Sequence, residues 1–250
     1  MAHRTPTPLS KEALAQVKAH FIACHPNEGV GYFKGDTFYP VENVTTLDPR
    51  RSFACPLEVM LEDPDLICHS HTTGWEVCSP DIDPRAPSKE DLDGQIATAV
   101  EWALFVTDGE TCDDPIYWGN PDNRPPLIGR EFIFNAQDCL SLAQDYYYST
   151  HDIRLPNLGR NHFWSQEGED HIGQNYEAWG FYDVTAEDLL PGDALLYKVR
   201  SPVPNHIGIY LGGNQVLSHW YGRISQVEDY GKWAGHISHY LRNRKVETGE

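Results

Sequence analysis

Residues 205–219 read NHIGIYLGGNQVLSH. His206 to Leu211 alternates side chains in the manner of a strand, Gln215 to Ser218 is a second short run, and Gly212-Gly213-Asn214 between them is a tight-turn signal. The stretch predicts an antiparallel hairpin with an imidazole at each outer end, and such pairing would bring His206 and His219 together. Upstream, Pro191-Gly192-Asp193 is a turn that leads into a strand expected over Asp193 to Lys198. Farther back, Asp138-Cys139 opens the segment DCLSLAQDYYYS, whose spacing predicts a helix from Asp138 to Tyr148. Cys139 then lies at a helix N-terminus, where the dipole and unpaired amides lower a thiol pKa. A thiolate, a base and a group that orients the base are the parts of a nucleophilic triad for acyl transfer. A plainer reading also fits these residues, with Cys139 a buried inert thiol and His219 a surface strand residue.

Outward from this hairpin, the stretch Asp113 to Gly129 concentrates Pro115, Pro121, Pro125 and Pro126 with two glycines, and reads as a linker. We place a domain boundary near residue 125, giving domains 1–124 and 125–250. In the first, Ser10 caps a helix to about Cys24 with Leu14, Val17 and Phe21 on one face. Strands are expected over Gly29 to Lys34, Phe38 to Val44 and Leu66 to His69, and a helix from Ser88 through about Phe105. Both halves mix helix and strand, so the fold class is α/β (α+β).

Lys and Arg number 19 against 37 Asp and Glu, a formal charge of −18 that repels phosphate backbones and anionic lipid. Nucleic-acid binding is therefore not expected. The longest mostly apolar stretch, Ile96 to Val106, carries Glu101 and falls short of the about 20 residues of a membrane span. The N-terminal segment lacks the apolar region of a secretory signal, which points to synthesis in a reducing cytoplasm. The six cysteines (Cys24, Cys55, Cys68, Cys78, Cys112 and Cys139) form no CxxC pair, so free thiols are expected.

A second group of residues lies in the first half. His69 and His71 are i and i+2 on a strand, which sends both imidazoles to one face, where they could converge on a metal. Ser88 and Asp91 stand three apart at a helix start, and Glu28 precedes a strand. Two histidines, a carboxylate, an open fourth position and a nearby glutamate are the set needed to bind Zn²⁺ and activate a water. Asp81 and Asp83 are rival third ligands. Taken alone, Ser88 and Asp91 also read as a helix cap, and Glu28 as a solvated loop carboxylate.

These motifs carry three resemblances. Pro26-Asn27-Glu28, His69-Ser70-His71 and Pro87-Ser88-x-x-Asp91 together resemble the JAMM motif of MPN-domain metalloisopeptidases. That resemblance implies Glu28 as general base, His69, His71 and Asp91 as zinc ligands, and Ser88 as a donor to the oxyanion. Asp138-Cys139, Pro191-Gly192-Asp193, the run from His206 to Gly212 and the later His219 look like the NlpC family of papain-like cell-wall peptidases. This implies Cys139 as nucleophile, His206 as base and His219 as the residue that orients it, with peptidoglycan stem peptides as substrate. The order of the two halves, with LIGREF (127–132), Gly180-Phe181 and YGRISQVEDYGKW (221–233), is similar to the tail tip assembly protein K family of lambda-like siphophages. The resemblance implies a bacteriophage protein made in the host cytoplasm, with other tail tip proteins as partners and the virion tail tip as a further location. Its hydrolase would serve tail tip assembly or genome entry. The alternative is a structural plug or assembly factor whose sites no longer act.

Overall fold

A computed structural model describes residues 9–73 and 82–248. Chain contacts divide the protein into two compact units, Met1–Arg124 and Pro125–Glu250. Each mixes helices with one antiparallel or mixed sheet, an α+β arrangement.

In the first unit, helix α1 (Lys11–Cys24) begins where the Ser10 side chain accepts from the Ala13 amide, and it buries Ala13, Val17 and Phe21. Leu14, expected on the same face, is only partly buried. Five strands follow in the order β2-β1-β3-β4-β5: β1 (Val30–Lys34), β2 (Thr37–Val41), β3 (Leu66–Thr72), β4 (Glu101–Thr107) and β5 (Ile116–Trp118). Strands β3 and β4 are parallel, and helix α2 (Lys89–Thr98) lies in the connection between them. Strand alternation divides β3 between two cores. Leu66 and Cys68 pack with Val17, Phe21 and Phe105, whereas Ile67 packs with Leu92, Trp102 and Trp118. His69 and His71 share the parity of Ile67 and therefore face α2.

Two expectations from the sequence are corrected here. The helix expected through Phe105 ends at Thr98, where Ala99 turns left-handed at φ 53° and its amide closes on Gln95. The residues beyond it, EWALFVT, form a buried strand, because aromatic and β-branched side chains fill a pleated surface between two cores better than they continue a helix. The stretch expected as a linker also holds β5, whose Trp118 is fully buried against Trp102. Cys78 lies outside the described residues.

The second unit is built on helix α3 (Cys139–His151) and six strands: β6 (Phe181–Asp183), β7 (Ala194–Tyr197), β8 (His206–Gly212), β9 (Gln215–Ser218), β10 (Gln226–Asp229) and β11 (Ile237–Asn243). They are ordered β10-β9-β8-β7-β11-β6, with every pairing antiparallel. The β8–β9 turn places Gly213 at φ 56° and Asn214 at φ 68°, the left-handed pair that a two-residue hairpin requires. Helix α3 covers one face through Cys139, Leu142, Ala143 and Tyr147, packed with Leu196, Ile207, Ile209 and Leu217. Each large apolar side chain buried there contributes roughly 1.5–3 kcal/mol relative to exposure. The opposite face carries Leu195, Tyr197 and Val216 under Tyr210, Trp220 and Trp233. Among the described residues no helix is long and apolar enough to cross a membrane.

Candidate functional sites

The first site forms where β3 meets the start of α2. His69, His71 and Asp91 each offer one ligand atom, and these atoms lie within 4.8 Å of one another. His69 Nε2 is 3.3 Å from Asp91 Oδ1, and His71 Nε2 is 3.5 Å from Asp91 Oδ2. His71 Nδ1 is 2.8 Å from the Pro84 carbonyl, a contact that assigns the proton to Nδ1 and leaves Nε2 turned toward Asp91. His69 is fully buried and stacked on Phe53 at 4.4 Å; its Nε2 faces Asp91 without a well-aligned hydrogen bond, and its Nδ1 has no partner. Such under-satisfied buried nitrogens are costly unless something binds them. Two histidines and a carboxylate suit a tetrahedral divalent ion, so this group could hold a metal.

Asp91 also completes the helix cap. Its Oδ2 accepts from the Ser88 amide at 2.7 Å and from Ser88 Oγ at 2.8 Å, while Ser88 Oγ accepts from the Asp91 amide. The Ser88 hydroxyl proton is therefore directed at Asp91. Burial works against the Asp91 carboxylate, yet His69 and His71 hold it well below the usual range. Burial likewise opposes charge on His71, but the hydrogen bond and charge of Asp91, with Glu28 and the Pro84 carbonyl, raise it to about 9. Glu28 is buried and pushed above the ordinary carboxylate range by that burial, against the pull of His71 and His69. Its neighbour Gly29 donates to Ser70 Oγ and accepts from the Ser70 amide, which ties Glu28 to the histidine strand. A Cβ on Gly29 would stand 2.6 Å from Phe21, so the approach needs glycine. Of the rival ligands, Asp83 is held by the Arg85 guanidinium at 2.7 Å and backbone amide, and Asp81 lies outside the described residues.

The second site forms at the N-terminus of α3. Asp138 caps the helix by accepting from the Leu140 and Ser141 amides, and it is ion-paired with Arg160 at 2.6 Å. Burial opposes the Asp138 carboxylate, but Arg160 and the Ser141 and Asn135 amides keep it below its ordinary range. Cys139 is buried at the first helical position. The sequence predicts a lowered thiol pKa there, but burial, followed by the Asp138 charge, pushes it up to about 12. Arg160 and the Ile207 and Leu140 backbone pull the other way. The approach of the Ile207 backbone sets the sulfur beside the residue next to His206.

The two imidazoles are close enough to repel, but they do not lie side by side. Ile207, Ile209 and Leu217 face α3, so alternation places His206, Gly208 and Ser218 on the other face. A Cβ built on Gly208 would lie 3.3 Å from Ser218 Oγ, which agrees with this. Extending the Ile209–Leu217 register sets Trp220 opposite His206, and the two rings stack at 3.6 Å and 15°. His219 returns to the α3 side, against Phe132, where the backbones of Asp138 and Arg130 approach its ring without a well-aligned hydrogen bond. Burial lowers the pKa of both rings, to about 3 for His206, where His219 lowers it further and Asp138 opposes the shift. Among the described residues no hydrogen bond joins Cys139 Sγ to either imidazole. The sequence reading missed Arg160, which sits in no local motif, and Trp220, which the hairpin register places opposite His206.

A family model described as the NlpC/P60 family matches residues 115–243. Tail tip assembly protein K of Escherichia phage lambda is 36% identical over 121 residues, covering 48% of this chain and 60% of that protein, so the chain spans less than two thirds of it. Tail tip assembly protein K of Escherichia phage N15 is 26% identical over 257 residues, covering 97% of this chain and 98% of that protein. A solved NLP/P60-family protein from Staphylococcus aureus, similar to lipoprotein, is 20% identical and aligns over 47% of this chain and 37% of that chain with a TM-score of 0.34.

Proposed function

The chain belongs to the NlpC/P60 family, and from that premise we propose that it is a phage tail tip protein whose unit 125–250 is a cysteine peptidase or amidase acting on peptidoglycan stem peptides. The observation that carries this reading is Cys139 at the first position of α3, with the Ile207 backbone beside its sulfur and the Asp138 charge acting on both His206 and His219. Cys139 attacks the amide carbonyl carbon. His206 takes the thiol proton and returns it to the leaving amine, His219 is the residue that orients the base, and water then hydrolyses the thioester. Strand parity turns His206 away from α3, so the transfer requires a rearrangement at the start of β8 that brings its ring to the Cys139 sulfur, besides overcoming the burial of both groups.

For the first unit we propose an MPN/JAMM-like zinc isopeptidase site. His69, His71 and Asp91 would hold the ion, which when bound polarises a carbonyl and acidifies water. Glu28 would hold and pass a proton, as its raised carboxyl permits. Ser88, whose hydroxyl orients Asp91 in the resting site, would turn its proton from Asp91 to serve as oxyanion donor. The partners are other tail tip proteins and peptidoglycan, and the location is the host cytoplasm during assembly and then the virion tail tip.

One observation favours a second reading, an assembly factor with silent sites: the thiol is raised to about 12 and unbonded to either imidazole. Purified peptidoglycan incubated with wild type and with Cys139→Ala, with released fragments read by mass, separates the two. Release by wild type alone supports the peptidase. Equal release by both removes Cys139 from the chemistry, and no release by either favours the assembly role.

A further inference from the structure

His206 has an unusually defined aromatic seat. Its ring lies on Trp220 at 3.6 Å between centroids and 15° between planes, and Tyr197 meets it at 5.3 Å. Trp220 is itself backed by Trp233 at 4.7 Å and edged by Tyr197 at 5.5 Å. The seat is therefore fixed from two sides by β7 and by the segment after β10, rather than being a lone surface ring. Its chemistry follows from the step assigned to His206. When the proton leaves Cys139 Sγ for the imidazole, the thiol becomes a thiolate and the neutral ring an imidazolium. A cation over an indole face is attracted by the negative quadrupole of that face, most strongly where water is excluded.

We propose that Trp220 is a positioning residue for the thiol chemistry, holding the His206 ring in one plane and stabilising its protonated form. The inference rests on the peptidase reading of the second unit. The charged and titratable groups that act on His206 are His219 after β9 and Asp138, the cap of α3 whose partner is Arg160, and the Tyr197 ring of β7 meets it directly. Asp138 supports the imidazolium and His219 opposes it, and a substitution at Trp220 leaves both of these side chains in the sequence. Trp220 thus has a separable effect.

The test is the pH dependence of Cys139 alkylation by iodoacetamide in the full chain, followed by mass spectrometry of the Cys139 peptide. Trp220→Leu should move the rise in alkylation upward by about one pH unit and lower peptidoglycan turnover about tenfold, with KM little changed. Trp220→Phe keeps an aromatic face and should recover most of both. A Trp220→Leu profile that coincides with wild type, or equal shifts in the Leu and Phe variants, overturns the proposal. The His206→Gln variant keeps the two claims apart. If it too alkylates like wild type, the thiol–imidazole reading itself fails, whereas a shift in His206→Gln with none in Trp220→Leu sinks only the role of Trp220. Should the Leu variant not fold, proton NMR of wild type still decides. The His206 ring protons must be displaced upfield by the indole, and random-coil positions would refute the seat.

Discussion

Arg160→Ala is expected to destabilise the 125–250 unit by about 3–5 kcal/mol, because it strands a buried carboxylate without its counter-charge. The Arg160 and Asp138 side chains are both almost wholly buried, and their contact is 2.6 Å. Asp138 also terminates α3 and receives the Asn135 amide, so its displacement would loosen the helix start that carries Cys139. The pH dependence tests the mechanism. Asp138 has a folded-state pKa below its unfolded value of about 3.9, so its stabilisation is present above that value and is lost as pH falls through the folded pKa. In the variant, burial without Arg160 raises the Asp138 pKa, and protonation then relieves the unpaired charge. The stability gap between wild type and Arg160→Ala should therefore narrow as pH is lowered from 7 toward 4, measured by urea unfolding at each pH. A gap that is constant with pH would assign the loss to the stacking of the Arg160 guanidinium over the Phe134 ring instead. The double variant Asp138→Asn with Arg160→Met should be more stable than Arg160→Ala alone, since it leaves no buried charge.

The hairpin at 205–219 was legible because its turn residues and alternation act locally: β9 occupies Gln215–Ser218 as read, and β8 runs one residue beyond Leu211. What local reading did not carry through was parity. In the observed register, residues of equal parity on β8 and β9 share a face, so 206 and 219 leave the ladder on opposite sides and Trp220 takes the place beside His206. The convergence of His69, His71 and Asp91 was legible for the complementary reason. Period two aligned the histidines, and a helix start supplied the carboxylate. The continuation of α2 to Phe105 was misread because WALFV (102–106) is an unbroken apolar run, and a doubly buried strand and a buried helix look alike without periodicity. Arg160 and the elevated Cys139 thiol were not legible at all. Both follow from which segments cover the α3 N-terminus, a tertiary fact that no local spacing encodes. The edge strand β6 and the strands β10 and β11 escaped for a related reason, since runs such as ISHYLRN mix His, Ser and Arg into the alternation.

Asp91 has two duties, and separating them gives the most decisive measurement on the first unit. We expect the purified full chain to carry about one Zn²⁺ and Asp91→Ala to lose it, because removing one of three protein donors leaves two imidazoles that cannot fill a tetrahedral site alone. Asp91→Ala also removes the carboxylate arm of the capping box, the bonds that Oδ2 accepts from the Ser88 amide and hydroxyl, so instability alone could mimic a metal effect. Ser88→Ala serves as the control. It removes the Oγ bonds of the cap at a cost of about 1 kcal/mol but leaves His69, His71 and Asp91 in place, so its zinc content should match wild type. Metal bound only by the folded state stabilises it, by about 2.7 kcal/mol at a hundredfold excess over Kd. A chelator should therefore lower the melting temperature of wild type and of Ser88→Ala, but not that of Asp91→Ala. Retained zinc in Asp91→Ala would move the third ligand to Asp81, since Asp83 is engaged by Arg85. Zinc-free wild type with an unchanged melting temperature in added Zn²⁺ would leave His69 Nε2 to its contact with Asp91 alone, and the metal reading would fall.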